Sequence, residues 1–179
     1  RLHETDRLLI DYQEGPGEPF SSYVYGEVPR GSIWAVCAAD FDRNGFNDLF
    51  LGPSSGGAFL LKADALGTSY ALVGLPDRDI LVQGSIFADF NNDYRDDLYV
   101  CNDLDGADYF YLSSANGFGN AISGLNNMTP AFSMGVDVAD INNDGLPDFI
   151  VVDMLNHSLP ARKMQFPHAV HSHAPTDQS

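Results

Sequence analysis

Basic residues are scarce in this chain. Nine Lys and Arg stand against 25 Asp and Glu over 179 residues, a formal net charge of −16 at pH 7. A surface so negative repels phosphate backbones and anionic lipid, which excludes nucleic acid and acidic membrane surfaces as partners. No apolar run approaches the 18 residues that a membrane-crossing helix needs, so no membrane span is expected. Cysteine is nearly absent. Cys37 and Cys101 fall at different places in the sequence pattern, and either a disulfide between them or two buried free thiols fits. The signatures of common catalytic and nucleotide sites are missing too. There is no G-x-S-x-G elbow, no phosphate loop and no dinucleotide fingerprint, and GPSSGG at Gly52 reads as a turn between strands. The chain opens at Arg1 without Met, as expected for a mature or excised segment, so a missing leader carries no information.

What the chain does have is acid in a pattern. Three nine-residue stretches, DFDRNGFND from Asp40, DFNNDYRDD from Asp89 and DINNDGLPD from Asp140, start 49 and 51 residues apart. Each puts an oxygen-bearing side chain at positions 1, 3, 5 and 9. A hard cation such as calcium takes six to eight oxygen ligands at about 2.3–2.6 Å, and closely spaced carboxylates on a tight turn supply them. Recurrence at a near-constant period describes a repeat architecture with one calcium site per repeat, about three ions per chain. Three divalent ions would bring the net charge to about −10, ordinary for a soluble domain.

The expected shells can be named. The first takes Asp40, Asp42, Asn44 and Asp48 with the Phe46 carbonyl. The second takes Asp89, Asn91, Asp93 and Asp97 with the Arg95 carbonyl. The third takes Asp140, Asn142, Asp144 and Asp148 with the Leu146 carbonyl. The opening of each loop resembles an EF-hand, but an EF-hand needs a bidentate Glu at position 12, where this chain has Leu51, Val100 and Val151. Position 6 calls for a sharp turn with positive φ. Gly45 and Gly145 meet it freely, whereas Tyr94 is expected to be strained and its loop imperfect, with Asp96 adding a nearby charge. Magnesium is the poorer candidate, because it demands a tight octahedron and keeps its waters.

Aligning the loops aligns their flanks. SIWAVCAAD, GSIFAD and MGVDVAD precede them; LFLGP, LYVCND and FIVVDM follow. Short apolar runs rich in β-branched and aromatic residues, closed by Gly, Pro or Asp, predict strands, so each unit is a hairpin with an ion loop at its tip. The near-continuous apolar run of the second strand predicts burial on both faces. Third strands are expected at 58–62 and 108–112, followed by weaker runs ending in LVGLPD and ISGLNN. One repeat of about 50 residues with four short strands has the size of a β-propeller blade. The expected organisation is N-terminal strands of a partial blade in 1–30, repeats at 31–78, 79–130 and 131–165, one further strand within 162–170, and a flexible tail at 166–179.

With its loops and flanks laid out, the chain resembles the FG-GAP/VCBS repeat family, the calcium-bearing propeller blades also found in integrin α-subunit heads. The glycine five residues before the first Asp fits at Gly84 and Gly135; Ala35 departs from it. FSMGVDVADINNDGLPDFIVVDML is similar to secreted proteins of the cartilage-acidic-protein (ASPIC/UnbV) type. The resemblance implies an all-β propeller-type fold, calcium in each blade and an extracellular or cell-surface setting. It implies no activity, since such blades serve adhesion, carbohydrate binding and scaffolding alike.

Other features carry less. His168, His171 and His173 form H-x-x-H-x-H without an accompanying Cys or acid, and His3 and His157 stand apart. Asn127 and Asn156 open glycosylation sequons. Trp34 sits in a strand pattern and is expected to be packed. The spacing of the carboxylates is accounted for by the ion shells, so no acid/base pair for glycosidase chemistry is left over and an enzyme is not expected. The reading is therefore a calcium-stabilised extracellular binding or scaffold module with a protein or glycan ligand. The alternatives are a self-assembling subunit of a fibre or oligomer and a lectin. Three repeats are too few for a ring of four to eight blades, so an incomplete ring, a longer chain or self-association is expected.

Overall fold

The structure is a computed structural model. It describes residues 5–12, 15–19, 21–29, 33–54, 57–76, 81–103, 107–124, 129–130 and 132–154. The expected strand within 162–170, the tail, the five histidines, Asn127 and Asn156 lie outside these residues.

The described chain is all-β. A first antiparallel pair joins β1 (Thr5–Tyr12) to β2 (Ser21–Pro29). A four-stranded meander follows: β3 (Ile33–Ala39), β4 (Asp48–Pro53), β5 (Phe59–Ala63) and β6 (Tyr70–Val73), hydrogen-bonded in chain order. A second meander repeats it with β7 (Val82–Ala88), β8 (Asp97–Asn102), β9 (Tyr109–Ser114) and β10 (Gly117–Asn120). The third unit contributes β11 (Ser133–Ala139) and β12 (Asp148–Asp153). Two complete four-stranded blades and half of a third form part of a propeller.

The repeat extends to single residue pairs. The hairpins close on Ala39 with Asp48, Ala88 with Asp97 and Ala139 with Asp148. Each innermost strand also carries a register shift in the same place, between Ile33 and Ala35, Val82 and Gly84, and Ser133 and Gly135. An extra residue there bends the strand and raises its twist, as a blade narrowing toward an axis requires.

The innermost strands lie side by side, β3 next to β7 and β7 next to β11. Their approach explains the glycines. A Cβ on Gly84 would fall 2.9 Å from the Cα of Gly135, and one on Gly52 would collide with Val82. The core lies between sheets. Phe50, Leu60, Val82, Leu98, Val100 and Tyr111 fill the space between the first two blades. Tyr99, Cys101 and Phe110 receive Val136, Phe149 and Val151 from the third.

Burial on both faces holds for β8, where all six residues are buried, and for most of β4. It fails for β12, whose Ile150 and Val152 are each 55% exposed. Apolar composition dictates burial only where a neighbour covers each face, and among the described residues β12 has a neighbour on one face only. Trp34, expected to be packed, is 52% exposed. Alternation places Ala35 and Cys37 toward the second blade and turns Trp34 and Val36 the other way. The expected fourth run of the second repeat is also displaced. β10 ends at Asn120, whose side chain accepts a hydrogen bond from the Ile122 amide (3.0 Å), and Ile122–Gly124 forms a single 3₁₀ turn. Cys37 and Cys101 are both free thiols, and burial raises each to about 12.

Candidate metal centres

Each acidic loop joins the first two strands of a blade, and all three adopt one conformation. Position 4 is left-handed at Arg43 (φ 64°), Asn92 (58°) and Asn143 (59°). Position 6 is left-handed at Gly45 (92°), Tyr94 (67°) and Gly145 (87°). Tyr94 therefore takes the conformation that suits glycine, and its side chain is 81% exposed. Two such reversals within three residues curl the chain so that side chains 1, 3 and 5 turn onto amides of their own loop.

Hydrogen bonds repeat the same geometry. The carboxylate at position 1 accepts from the amides of positions 5 and 6: Asp40 from Asn44 and Gly45 (both 2.8 Å), Asp89 from Asp93 (3.0 Å) and Tyr94 (2.7 Å), Asp140 from Asp144 (3.0 Å) and Gly145 (2.9 Å). The position 3 side chain accepts from the position 5 amide, and position 5 accepts from position 7, at 2.8–3.1 Å throughout. Asp48, Asp97 and Asp148 reach back to the amides of Phe41, Phe90 and Ile141 (3.2, 3.2 and 3.0 Å). The ninth residue also ties the loop to the third strand of its blade, accepting from Ala63 (2.7 Å) and Ser113 (2.8 Å) in the first two repeats.

Carboxylate oxygens of Asp40, Asp42 and Asp48 lie within 4.8 Å of one another, a donor set of the hardness and spacing that a divalent cation requires. Among the described residues this is the one such triad; the acids of the second and third loops do not converge so closely. Asp48 and Asp97 are fully buried. Burial, followed by the negative charge of Asp42 and Asp40, pushes Asp48 up to about 6. Burial likewise raises Asp97, with Asp93 and Asp89 adding to it, and raises Asp96, with Asp89 and Asp40 adding. Crowded, partly desolvated carboxylates of this kind gain from a cation between them. One is already present in the first loop, where Lys62 Nζ approaches Asp42 Oδ2 to 2.6 Å.

Several contacts of these loops were not apparent in the sequence. The tie from the ninth residue to the third strand joins positions 15 or 16 apart. Lys62 enters from β5. The residue at position 2 is an anchor: Phe41 packs edge-on against Phe118 of the next blade (5.0 Å between ring centres), and Phe90 packs against Phe110 (5.3 Å) and Phe149 of the third unit (5.6 Å). The only sequence signal for this role is the shared apolar character of Phe41, Phe90 and Ile141.

Residues 89–151, from the start of the second loop through the third loop and into β12, match the family described as FG-GAP-like repeat. The match supports the FG-GAP family, whose repeats are typically extracellular binding or adhesion modules, and agrees with the blade architecture. No curated protein matches the chain. Among the described residues no helix is long and apolar enough to cross a membrane.

Proposed function

We propose that the three loops bind calcium, one ion each, and that the ions stiffen a non-enzymatic binding or scaffold module working outside the cell or at its surface. The observation that carries this reading is the shared loop conformation, left-handed at positions 4 and 6, which gathers Asp40, Asp42 and Asp48 to within 4.8 Å in the first repeat. The ligands are the side chains of Asp40, Asp42, Asn44 and Asp48, of Asp89, Asn91, Asp93 and Asp97, and of Asp140, Asn142, Asp144 and Asp148, with the carbonyls of Phe46, Arg95 and Leu146. The blades divide near residues 31, 79 and 131, and the similarity of the third repeat to the cartilage-acidic-protein type favours a secreted protein.

A bound ion replaces repulsion between carboxylates with attraction, and it holds the first two strands of a blade at a fixed angle. Binding only to the folded state stabilises it by RT ln(1 + [L]/Kd), roughly 1.4 kcal/mol per site at millimolar calcium if Kd is about 10⁻⁴ M. Calorimetric titration with calcium, with magnesium as control, tests the reading. About three sites per chain with Kd on the order of 10⁻⁴–10⁻³ M are expected, and a flat calcium titration would overturn it. The ligand is a protein or a glycan. Tyr94, exposed at position 6 of the second loop, offers an aromatic face on which a sugar ring can stack, and favours the glycan as second reading. Binding to a glycan array that is lost in Tyr94→Ala would separate the two.

A further inference from the structure

In the first two loops the second residue is fastened at both ends. Its amide donates to the ninth carboxylate of its own loop, Phe41 to Asp48 and Phe90 to Asp97, both at 3.2 Å. Its ring leaves the loop for the next blade, and the two rings arrive at equivalent places. Phe41, which is buried, meets Phe118 edge-on with ring centres 5.0 Å apart. Phe118 stands opposite Ser113 in the β9–β10 hairpin, and the Ser113 amide donates to Asp97 (2.8 Å), the ninth residue of the second loop. Phe118 also tilts against Phe87 (6.5 Å), which lies two residues ahead of Asp89. Phe90 in turn meets Phe149 with ring centres 5.6 Å apart, and Phe149 directly follows Asp148, the ninth residue of the third loop.

Contact therefore passes from Asp48 through Phe41, Phe118 and Ser113 to Asp97, and from Asp97 through Phe90 and Phe149 to Asp148. Each stretch begins at the ninth carboxylate of one loop and ends at that of the next. Close-packed rings leave little free space, so a shift at position 2 must be taken up by the ring it rests on. An ion that fixes the ninth carboxylate of one loop thus fixes position 2, seats its ring, and orders the support of the next ninth carboxylate. The following ion then has less left to order, which is a coupling between sites.

We infer that Phe41 and Phe90 are positioning residues that couple the three loops, so that an ion in one loop raises the affinity of its neighbour. The inference rests on the proposed calcium binding and adds to it a relation that three independent loops would lack. Linkage makes the coupling reciprocal, so it runs in both directions along the chain.

A mutant cycle read in the third loop tests it. Calcium is added to the wild type, to Asp93→Ala, to Phe90→Leu and to the double variant, and the Gly145 amide shift is followed by NMR. Circular dichroism checks that each variant folds. Disabling the second loop with Asp93→Ala should weaken calcium at the third by about fivefold or more when Phe90 is present. In the Phe90→Leu background the same step should change it by less than about twofold. The charge lost with Asp93 is the same in both backgrounds, and a Phe90 that only filled space would leave the effect of Asp93→Ala unaltered. The corresponding cycle with Phe41→Leu, read at Gly45, examines the first and second loops and stands in if Phe90→Leu does not fold. Loops that fill independently in the wild type, or a coupling that survives both leucine substitutions, overturn the inference and leave calcium binding intact. No calcium-dependent shift at either Gly45 or Gly145 overturns the calcium reading, and the inference with it.

Discussion

Lys62 Nζ lies 2.6 Å from Asp42 Oδ2, so the first loop holds a tethered cation at the edge of its carboxylate triad. The Asp42 carboxyl feels burial, which raises it, but the Lys62 hydrogen bond and charge outweigh that and hold it below the ordinary value. Lys62 is in turn raised, chiefly by its hydrogen bond to Asp42. If the first loop binds calcium as proposed, the ion must compete with this ammonium. Lys62→Met should tighten calcium at the first loop by a modest factor. The pair is partly exposed and worth about 0.2–1 kcal/mol, so roughly 1.5- to 5-fold in Kd is expected. The Gly45 and Gly145 amide shifts, followed by NMR during a calcium titration, report the first and third loops separately. Equal midpoints before and after substitution would show that the ion displaces Lys62 at no cost.

Tyr94 holds a left-handed conformation that costs a side chain of its size about 1–2 kcal/mol. Because the ring is exposed, removing it forfeits little burial. Tyr94→Gly should raise thermal stability by up to about 1 kcal/mol, and Gly145→Ala should lower it by a similar amount. For the same reason Asp140→Ala should cost more than Asp93→Ala at fixed calcium. Thermal melts of the four variants check both statements; equal losses at Asp93 and Asp140 would mean that the tyrosine is accommodated without strain.

Gly84 has no room for a methyl group, since backbone of Gly135 stands where it would go, whereas nothing lies within 4 Å of a Cβ on Gly119. Gly84→Ala should destabilise by about 1–3 kcal/mol through forced separation of β7 and β11, while Gly119→Ala should be near neutral. Urea unfolding of the two variants gives the comparison directly.

Asp108 is buried where the second blade meets the third. It accepts hydrogen bonds from Tyr99 Oη (2.6 Å), the Asn102 amide (2.8 Å) and Ser133 Oγ (2.8 Å). Burial raises its carboxyl despite these three donors, and Asp153 adds to the rise. A carboxyl raised on folding favours the folded chain most at low pH, and that contribution is lost as pH climbs through the folded value. Asp108→Asn keeps an acceptor for the Asn102 amide and removes the charge, so its melting point should vary less between pH 4 and pH 8 than that of the wild type. Asp108→Ala strands buried donors and should cost about 1–3 kcal/mol at every pH. Melting curves across that range distinguish a charge effect from a packing effect.

The loops were legible in the sequence because their chemistry is local. Nine consecutive residues specify the alternating oxygens and the tight turn, and the left-handed position 6 was evident from Gly45 and Gly145 alone. The strands beside them followed from alternation and from Gly, Pro and Asp at their ends. Position 4 was missed, although Asn92 and Asn143 are residues that tolerate a left-handed turn. Tertiary structure decided everything that depends on a partner far along the chain. The tie from Asp48 to Ala63, the ammonium of Lys62 at Asp42, the meeting of Gly84 with Gly135 and the seating of Phe41 on Phe118 each join segments that share no local signal. Composition likewise marked Trp34, Ile150 and Val152 as core residues, but burial is a property of pairs of surfaces. The same apolar strand is core in β8, between two blades, and open surface on one face of β12, because the hydrophobic effect acts only where a second surface displaces the water.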